Sequence, residues 1–224
     1  MDALPTRAAT GADMEKFSEL TAVAAILLRD NIDTDAIIPS REIRAVSKQG
    51  LARGLFAGWR YRPGSNYEPD PAFVLNDERF RGARILLAGA NFGCGSSREQ
   101  AVWALAEYGF RAVIASSFNL IFYRNCVRNG VLPAALGADA LSRLASWVAE
   151  DPQRHQPTVD LRSRSILTAE TSRKFDIDEE SRSALLEGLD PIDRTLKLQD
   201  RIASFRAADR ALRPWVYDLP TDPR

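Results

Sequence analysis

Residues 83–116 read ARILLAGANFGCGSSREQAVWALAEYGFRAVIAS. The unbroken apolar run ARILLAGA (83–90) has the composition of a strand covered on both faces. SREQAVWALAEYG (97–109) sets Val102, Leu105 and Ala106 along one side of a helix and ends on Gly109, a helix stop. RAVIAS (111–116) reads as a second buried strand, and SFNLIFYRNCVRNG (117–130) as a second helix closed by Asn129-Gly130. Strand, helix, strand, helix with short joints is a parallel α/β unit.

Upstream, AVAAILL (22–28) reads as another strand, and DNIDTDAIIPS (30–40) as a turn region ended by Pro39. Residues 41–82 form a long excursion rich in Gly, Pro, Asn and aromatics, expected to be an ordered loop packed by Phe56, Trp59, Tyr61 and Phe73. Downstream, residues 138–151 read as a helix and 158–169 and 174–178 as edge or hairpin strands. Residues 180–211 read as two helices broken at GLDP. The expected organisation is a flexible N-terminal tail (1–13), one domain (14–211) and an extended C-terminal tail (212–224).

Composition narrows the function classes. The 224 residues are 45% apolar, enough for a core, and 30 basic residues balance 30 acidic ones. No net charge draws the chain to nucleic acid or an anionic membrane. Nor is there an apolar run of the roughly 20 residues that span a bilayer, or a signal-peptide core near the start. The expectation is a soluble cytoplasmic protein. Two cysteines, Cys94 and Cys126, make no disulfide framework, and no CxxC or HxxxH spacing offers a zinc site. A nucleophile–histidine site would have to use the single histidine, His155. That residue lies in the polar stretch DPQRHQPT and reads as a solvated loop residue.

The segment between strand and helix, NFGCGSSRE (91–99), carries the chemistry. A helix start presents unpaired N–H groups and a partial positive charge, where an anion fits. Gly93 and Gly95 allow a tight turn and close approach of backbone to a ligand. Ser96 with Glu99, and Ser97 with Gln100, have capping-box spacing. Arg98 brings a fork that grips a carboxylate through parallel hydrogen bonds. The combination points to an acidic small molecule. GCGSSR lacks the third glycine of a dinucleotide-binding turn, and there is no Walker lysine.

NFGCGSSRE, YGFRAVIASSF, IFYRNC and NGVLP together resemble the small subunits of the 3-isopropylmalate dehydratase family, which are similar to the swivelling fourth domain of aconitase. The resemblance extends upstream to DNIDTDAIIP and LFAGWRY…DPAFVLN, and downstream to FDID and LLEGLDPIDRTLKLQDRIASF, spanning residues 14–210. It implies the swivelling β/β/α fold, a partly parallel sheet with flanking helices and antiparallel strands. It also implies reversible dehydration of a hydroxy-dicarboxylate. By the same resemblance Ser96 is the base, Ser97 and Arg98 bind substrate, Gly95 lies in the binding turn, and Thr34 and Asp35 line the cleft. The [4Fe–4S] cluster of such enzymes uses three cysteine thiolates. Two distant cysteines do not supply them, so the resemblance implies no cofactor on this chain and a large iron–sulfur subunit as partner. Neither Cys94 nor Cys126 is assigned a chemical role; both are expected to be buried packing residues.

Two places depart from the family pattern. Gln100 and Val102 stand where His and Pro are usual, with Gln100 expected to keep a capping role. Glu42 and Ile43 stand where an aromatic and an aliphatic residue help to shape the side-group pocket. Glu42 is expected to point to solvent or to pair with Arg41 or Arg44. The leading expectation is the leucine-biosynthetic dehydratase. The alternatives are a paralogous subunit for methylmalate/citraconate or dimethylmaleate, and a non-catalytic anion-binding module. Intact Ser96, Ser97 and Arg98 argue against the last.

Overall fold

A computed structural model describes residues 14–43 and 47–217. Expectations for residues 1–13, Arg44 and the last seven residues lie outside the described part. The chain divides into two units at Gly188/Leu189.

The first unit is built on two four-stranded sheets. In chain order its elements are β1 (Glu19–Thr21), β2 (Ala24–Leu27), α1 (Thr34–Ile37), α2 (Ala57–Arg60), β3 (Ile85–Ala88), α3 (Gln100–Tyr108), β4 (Ala112–Ala115), α4 (Leu120–Arg128), β5 (Leu132–Ala135), α5 (Ala138–Glu150), β6 (Thr158–Asp160), β7 (Ser165–Leu167), β8 (Ser172–Lys174) and α6 (Glu179–Glu187). One sheet is parallel, in the order β2-β3-β4-β5. The other is antiparallel, in the order β1-β6-β7-β8.

The apolar runs alternate between two cores, as the period of a strand requires. Ala25, Leu27, Leu86, Ala88, Val113 and Ala115 face a core completed by α1, α3, α4 and the aromatics of the excursion. Ala24, Ile85, Leu87, Ala112 and Ile114 face a second core completed by α5, α6 and the antiparallel sheet. A sheet covered on both faces explains why no polar residue interrupts β3 or β4.

Several elements differ from expectation: α1 is a helical turn where only a turn was expected, and residues 180–211 carry three helices, α6 and two more after Gly188, where two were expected. β5 carries Pro133, paired with Val113, and stands at the sheet edge, where a residue without an N–H is tolerated. β1 is a separate short strand before β2. The hairpin β6–β7 is extended by Ser172–Lys174 (β8), while Asp176 makes an isolated bridge to Ala135. The excursion is ordered as expected, around Phe56, Phe73 and Trp59, but as short turns rather than one loop.

The second unit holds α7 (Pro191–Leu196) and α8 (Gln199–Leu212). Asp190 caps α7 by accepting from Ile192 N and Asp193 N, both at 2.8 Å. Of the segment expected to be an extended tail, the described residues 212–217 turn back at Pro214–Val216. Asp209 accepts from Arg213 Nε and from the Tyr217 hydroxyl, both at 2.7 Å, which folds the segment over the end of α8. Among the described residues no helix is long and apolar enough to cross a membrane.

Candidate active site

Three loops leave the carboxyl ends of β2, β3 and β4, the place where open parallel sheets bind ligands. Backbone hydrogen bonds lace them together beyond the strands. On one side Asn31 N donates to Ala90 O (2.8 Å), Gly93 N to Ile32 O (2.8 Å) and Thr34 N to Cys94 O (2.9 Å). On the other, Phe92 N donates to Ser117 O and Asn119 N to Phe92 O, both at 3.0 Å. Side chains reinforce the lacing. Asp30 accepts from Ala90 N at 2.6 Å, Ser117 Oγ from Asn91 N at 2.8 Å, and Thr34 Oγ1 donates to Ser96 O at 3.0 Å. The serine turn is thereby held from both flanks.

Gly93 is required twice over. Its φ of 74° lies in the left-handed region, and a Cβ there would stand 2.1 Å from Phe122 Cγ. Phe122, buried under the turn, packs edge-to-face on Phe92 at 5.2 Å. Gly95 has φ 84°, with Asp33 Cβ and Thr34 Oγ1 as its neighbours.

The capping boxes do not form. α3 starts at Gln100 with Glu99 as its N-cap, and no side chain caps it, that of Gln100 included. Arg98 N closes a tight bond to Ser96 O at 2.7 Å, which keeps Ser96 and Ser97 outside the helix. The Glu99 carboxylate accepts from Asn129 Nδ2 at 2.8 Å, while Trp103 Nε1 donates to Asn129 Oδ1 at 3.0 Å. Asn129 thus clips the first turn of α3 to the end of α4. Asn129 is therefore more than the helix stop expected from Asn129-Gly130.

Freed from capping, Ser96 and Ser97 are exposed. Their hydroxyls, and the N–H groups of Gly95, Ser96 and Ser97, have no partner among the described residues. Arg98 is not solvated; its side chain is 18% exposed. Nη1 donates to Asp35 Oδ1 (2.7 Å) and Ile38 O (2.9 Å), and Nη2 to Ser40 Oγ (3.1 Å). Three of the five guanidinium N–H donors are engaged and two remain. The Arg98 hydrogen bond holds the Asp35 carboxyl below its ordinary range, aided by the Ser40 N–H and hydroxyl against a smaller opposing effect of burial. The structure therefore brings Ser96, Ser97, Arg98, Gly95, Thr34 and Asp35 to one place. Thr34 is buried beneath the turn, and Asp35 serves Arg98.

Two further expectations are corrected. Cys94 is half-buried in the turn rather than buried, whereas Cys126 is fully buried and burial pushes its thiol well up. His155 is not a solvated loop residue. It stacks on Trp147 at 4.6 Å, and its Nδ1 lies 2.5 Å from Trp147 O in the last turn of α5. Of the two expectations for Glu42, the pair with Arg41 forms, at 3.3 Å, and the side chain is 9% exposed rather than turned to solvent. No group of three or more His, Cys, Asp or Glu able to hold a metal occurs among the described residues. A buried neutral thiol and one distant cysteine do not fit a cubane cluster.

The aconitase C-terminal domain family matches residues 14–138. A 3-isopropylmalate dehydratase small subunit of Cupriavidus necator is 56% identical over 205 residues, covering 91% of this chain and 99% of its own. That of Allorhizobium ampelinum is 46% identical over 207 residues, covering 91% and 100%. The crystal structure of a 3-isopropylmalate dehydratase from Methanocaldococcus jannaschii superimposes with a TM-score of 0.59 at 30% identity, covering 84% of this chain and 99% of its own. With its fold, its serine turn and these relatives in agreement, the chain belongs to the family of 3-isopropylmalate dehydratase small subunits, built on the swivelling domain of the aconitases.

Proposed function

We propose that this chain is the small half of a hydro-lyase that interconverts 2- and 3-isopropylmalate, and that its serine turn supplies the base and the carboxylate grip. One observation carries the reading. Among the described residues, three successive N–H groups, two hydroxyls and two arginine N–H donors stand unpaired on a turn held rigidly from both sides.

Removal of water from a malate-like acid begins with loss of a proton from a carbon beside a carboxylate. Ser96 takes that proton on Oγ. A serine oxygen is a weak base unless its anion is stabilised. The stabilising donors are the free amides of the turn and the Arg98 charge, fixed before substrate arrives and so costing no reorganisation. They do not come from the helix start, because α3 begins four residues after Ser96. Ser97 and the adjoining amides receive one substrate carboxylate, and Arg98 offers its two remaining donors to it. Thr34 keeps the Ser96 carbonyl in place, and Asp35 keeps the guanidinium oriented. Water then returns with its hydroxyl on the carbon that lost the proton, and Ser96 gives its proton to the carbon that had borne the hydroxyl, which completes the interconversion.

Departure of the hydroxyl needs a Lewis acid, which a [4Fe–4S] cluster on the large subunit supplies. This chain does not hold that group, so its half-site works only against the partner. The substrate is a small dicarboxylate, with no nucleic acid or membrane involved, and the setting is the cytoplasm.

The test is the ratio of kcat/KM for isopropylmalate and methylmalate, with the large subunit supplied. One methylene-sized group in an apolar pocket is worth about 10- to 200-fold, and the isopropyl compound, larger by two carbons, should lead by at least that order. A preference for the methyl compound would replace this assignment with the paralogous hydro-lyase.

A further inference from the structure

Between β2 and β3 lies one nearly buried carboxylate that the proposed chemistry does not use. Glu42 ends the tight turn Ser40–Glu42. Its Oε2 accepts a 2.7 Å hydrogen bond from the Tyr67 hydroxyl, and its Oε1 lies 3.3 Å from Arg41 Nε. The backbone of Gly54 closes on the same side chain, where a Cβ would stand 2.6 Å from Glu42 Cβ. A buried carboxylate persists only where it is paired.

Tyr67 is held for this task. Its φ is 61°, a left-handed backbone that a bulky residue adopts only when its surroundings impose it. Its ring is clamped between the Arg53 guanidinium, 3.7 Å from the ring centre, and the edge of Tyr61 at 5.0 Å. Tyr61 in turn donates to Arg53 O at 3.0 Å. The hydroxyl of Tyr67 is thereby presented to Glu42 by a rigid support.

Glu42 belongs to the turn that holds Arg98. Ile38 O and Ser40 Oγ accept from the guanidinium. Glu42 N donates to Pro39 O at 2.9 Å, and Ile43 N to Ser40 O at 3.1 Å, so residues 38–43 move as one piece. We infer that Glu42 and Tyr67 form a latch that positions Arg98 through this turn. The inference rests on the reading of Arg98 as the carboxylate grip. Residue 42 then acts on the malate core that all these acids share, and not on the side group that distinguishes them. Glu42 and Tyr67 are positioning residues.

The experiment uses the full chain assembled with its large subunit. Tyr67→Phe keeps the ring and removes the latch. KM should rise about tenfold, the worth of one hydrogen bond to a charged group, for isopropylmalate and methylmalate alike, with kcat within about twofold. Glu42→Ala should match it, and the double variant should be no worse than either single change. Glu42→Gln keeps an acceptor for Tyr67 and should restore KM to within about threefold of the parent. Glu68→Gln, which alters only the exposed pair with Arg62, is the control. A second arm needs no activity: exchange of the Ser40, Glu42 and Ile43 amides in the full chain should accelerate in Tyr67→Phe. Unchanged exchange overturns the latch. So does an unchanged KM in an active complex, or a shift in the ratio between the two acids. Accelerated exchange beside an inactive parent complex supports the latch and refutes the dehydratase reading instead.

Discussion

Replacing Arg98 with lysine separates the two tasks of its guanidinium. Three of its donors hold Asp35, Ile38 O and Ser40, and two remain for substrate. A lysine ammonium has three donors radiating from one atom. It can keep the turn or hold a carboxylate, but not both. At least one charge-assisted hydrogen bond to substrate is lost, worth about 1.5–3 kcal/mol. That corresponds to a fall in kcat/KM of about 10- to 150-fold. Steady-state kinetics with the large subunit give the number, and a thermal melt of the chain alone checks that the fold survives. Because Asp35 is 62% exposed, breaking its pair with Arg98 should cost little stability. A lysine variant within twofold of the parent would show that the remaining arginine donors never meet substrate.

Ser96→Ala should lower kcat by about 10²- to 10⁴-fold while substrate still binds, because it removes the base and leaves the amides and Arg98 in place; isothermal titration beside turnover assays decides it. Glu107 on α3 accepts from the N–H groups of Gly50 (2.6 Å), Leu51 (2.5 Å) and Ala52 (2.8 Å). Burial pushes its carboxyl up, but these three donors together outweigh burial and hold it below the ordinary glutamate range. Its contribution is therefore present at neutral pH and lost as pH falls through the folded value. Glu107→Gln should cost about 1 kcal/mol at pH 7, the low end because the group is exposed, and nothing in strong acid. Denaturant melts at the two pH values show whether the difference closes. His155→Ala should lower stability by about 1 kcal/mol through loss of the Trp147 carbonyl bond, or about 2–4 °C in Tm.

The parallel unit was legible because a sheet covered on both faces leaves no polar residue in its strands, and Gly109 and Asn129-Gly130 mark where the helices end. β5 was not legible, since Pro133 argues against a strand until the strand is known to lie at an edge. The composition of the site was readable from GSSR, but its wiring was not. Capping-box spacing is satisfied by Ser96 and Glu99 in the chain, yet Glu99 is taken by Asn129, 30 residues away. Likewise Arg98 meets Asp35 and Ser40 across about 60 residues, and His155 finds the face of Trp147. At Glu99 a polar side chain took a distant partner over the local one its spacing offered, and Arg98 and His155 found partners that no local spacing announces.

The lacing of the three loops has a consequence for how such a protein can change. The frame around the serine turn is made mostly of main-chain amides and carbonyls, which every residue but proline possesses. Substitutions at the mouth can therefore alter what the site accepts without dismantling what holds it open. The immovable points are those where the backbone itself is exceptional, above all Gly93 over the Phe122 ring. A scaffold whose rigidity rests mostly on its main chain can diverge among related acids one pocket residue at a time, keeping its reaction while its clientele drifts.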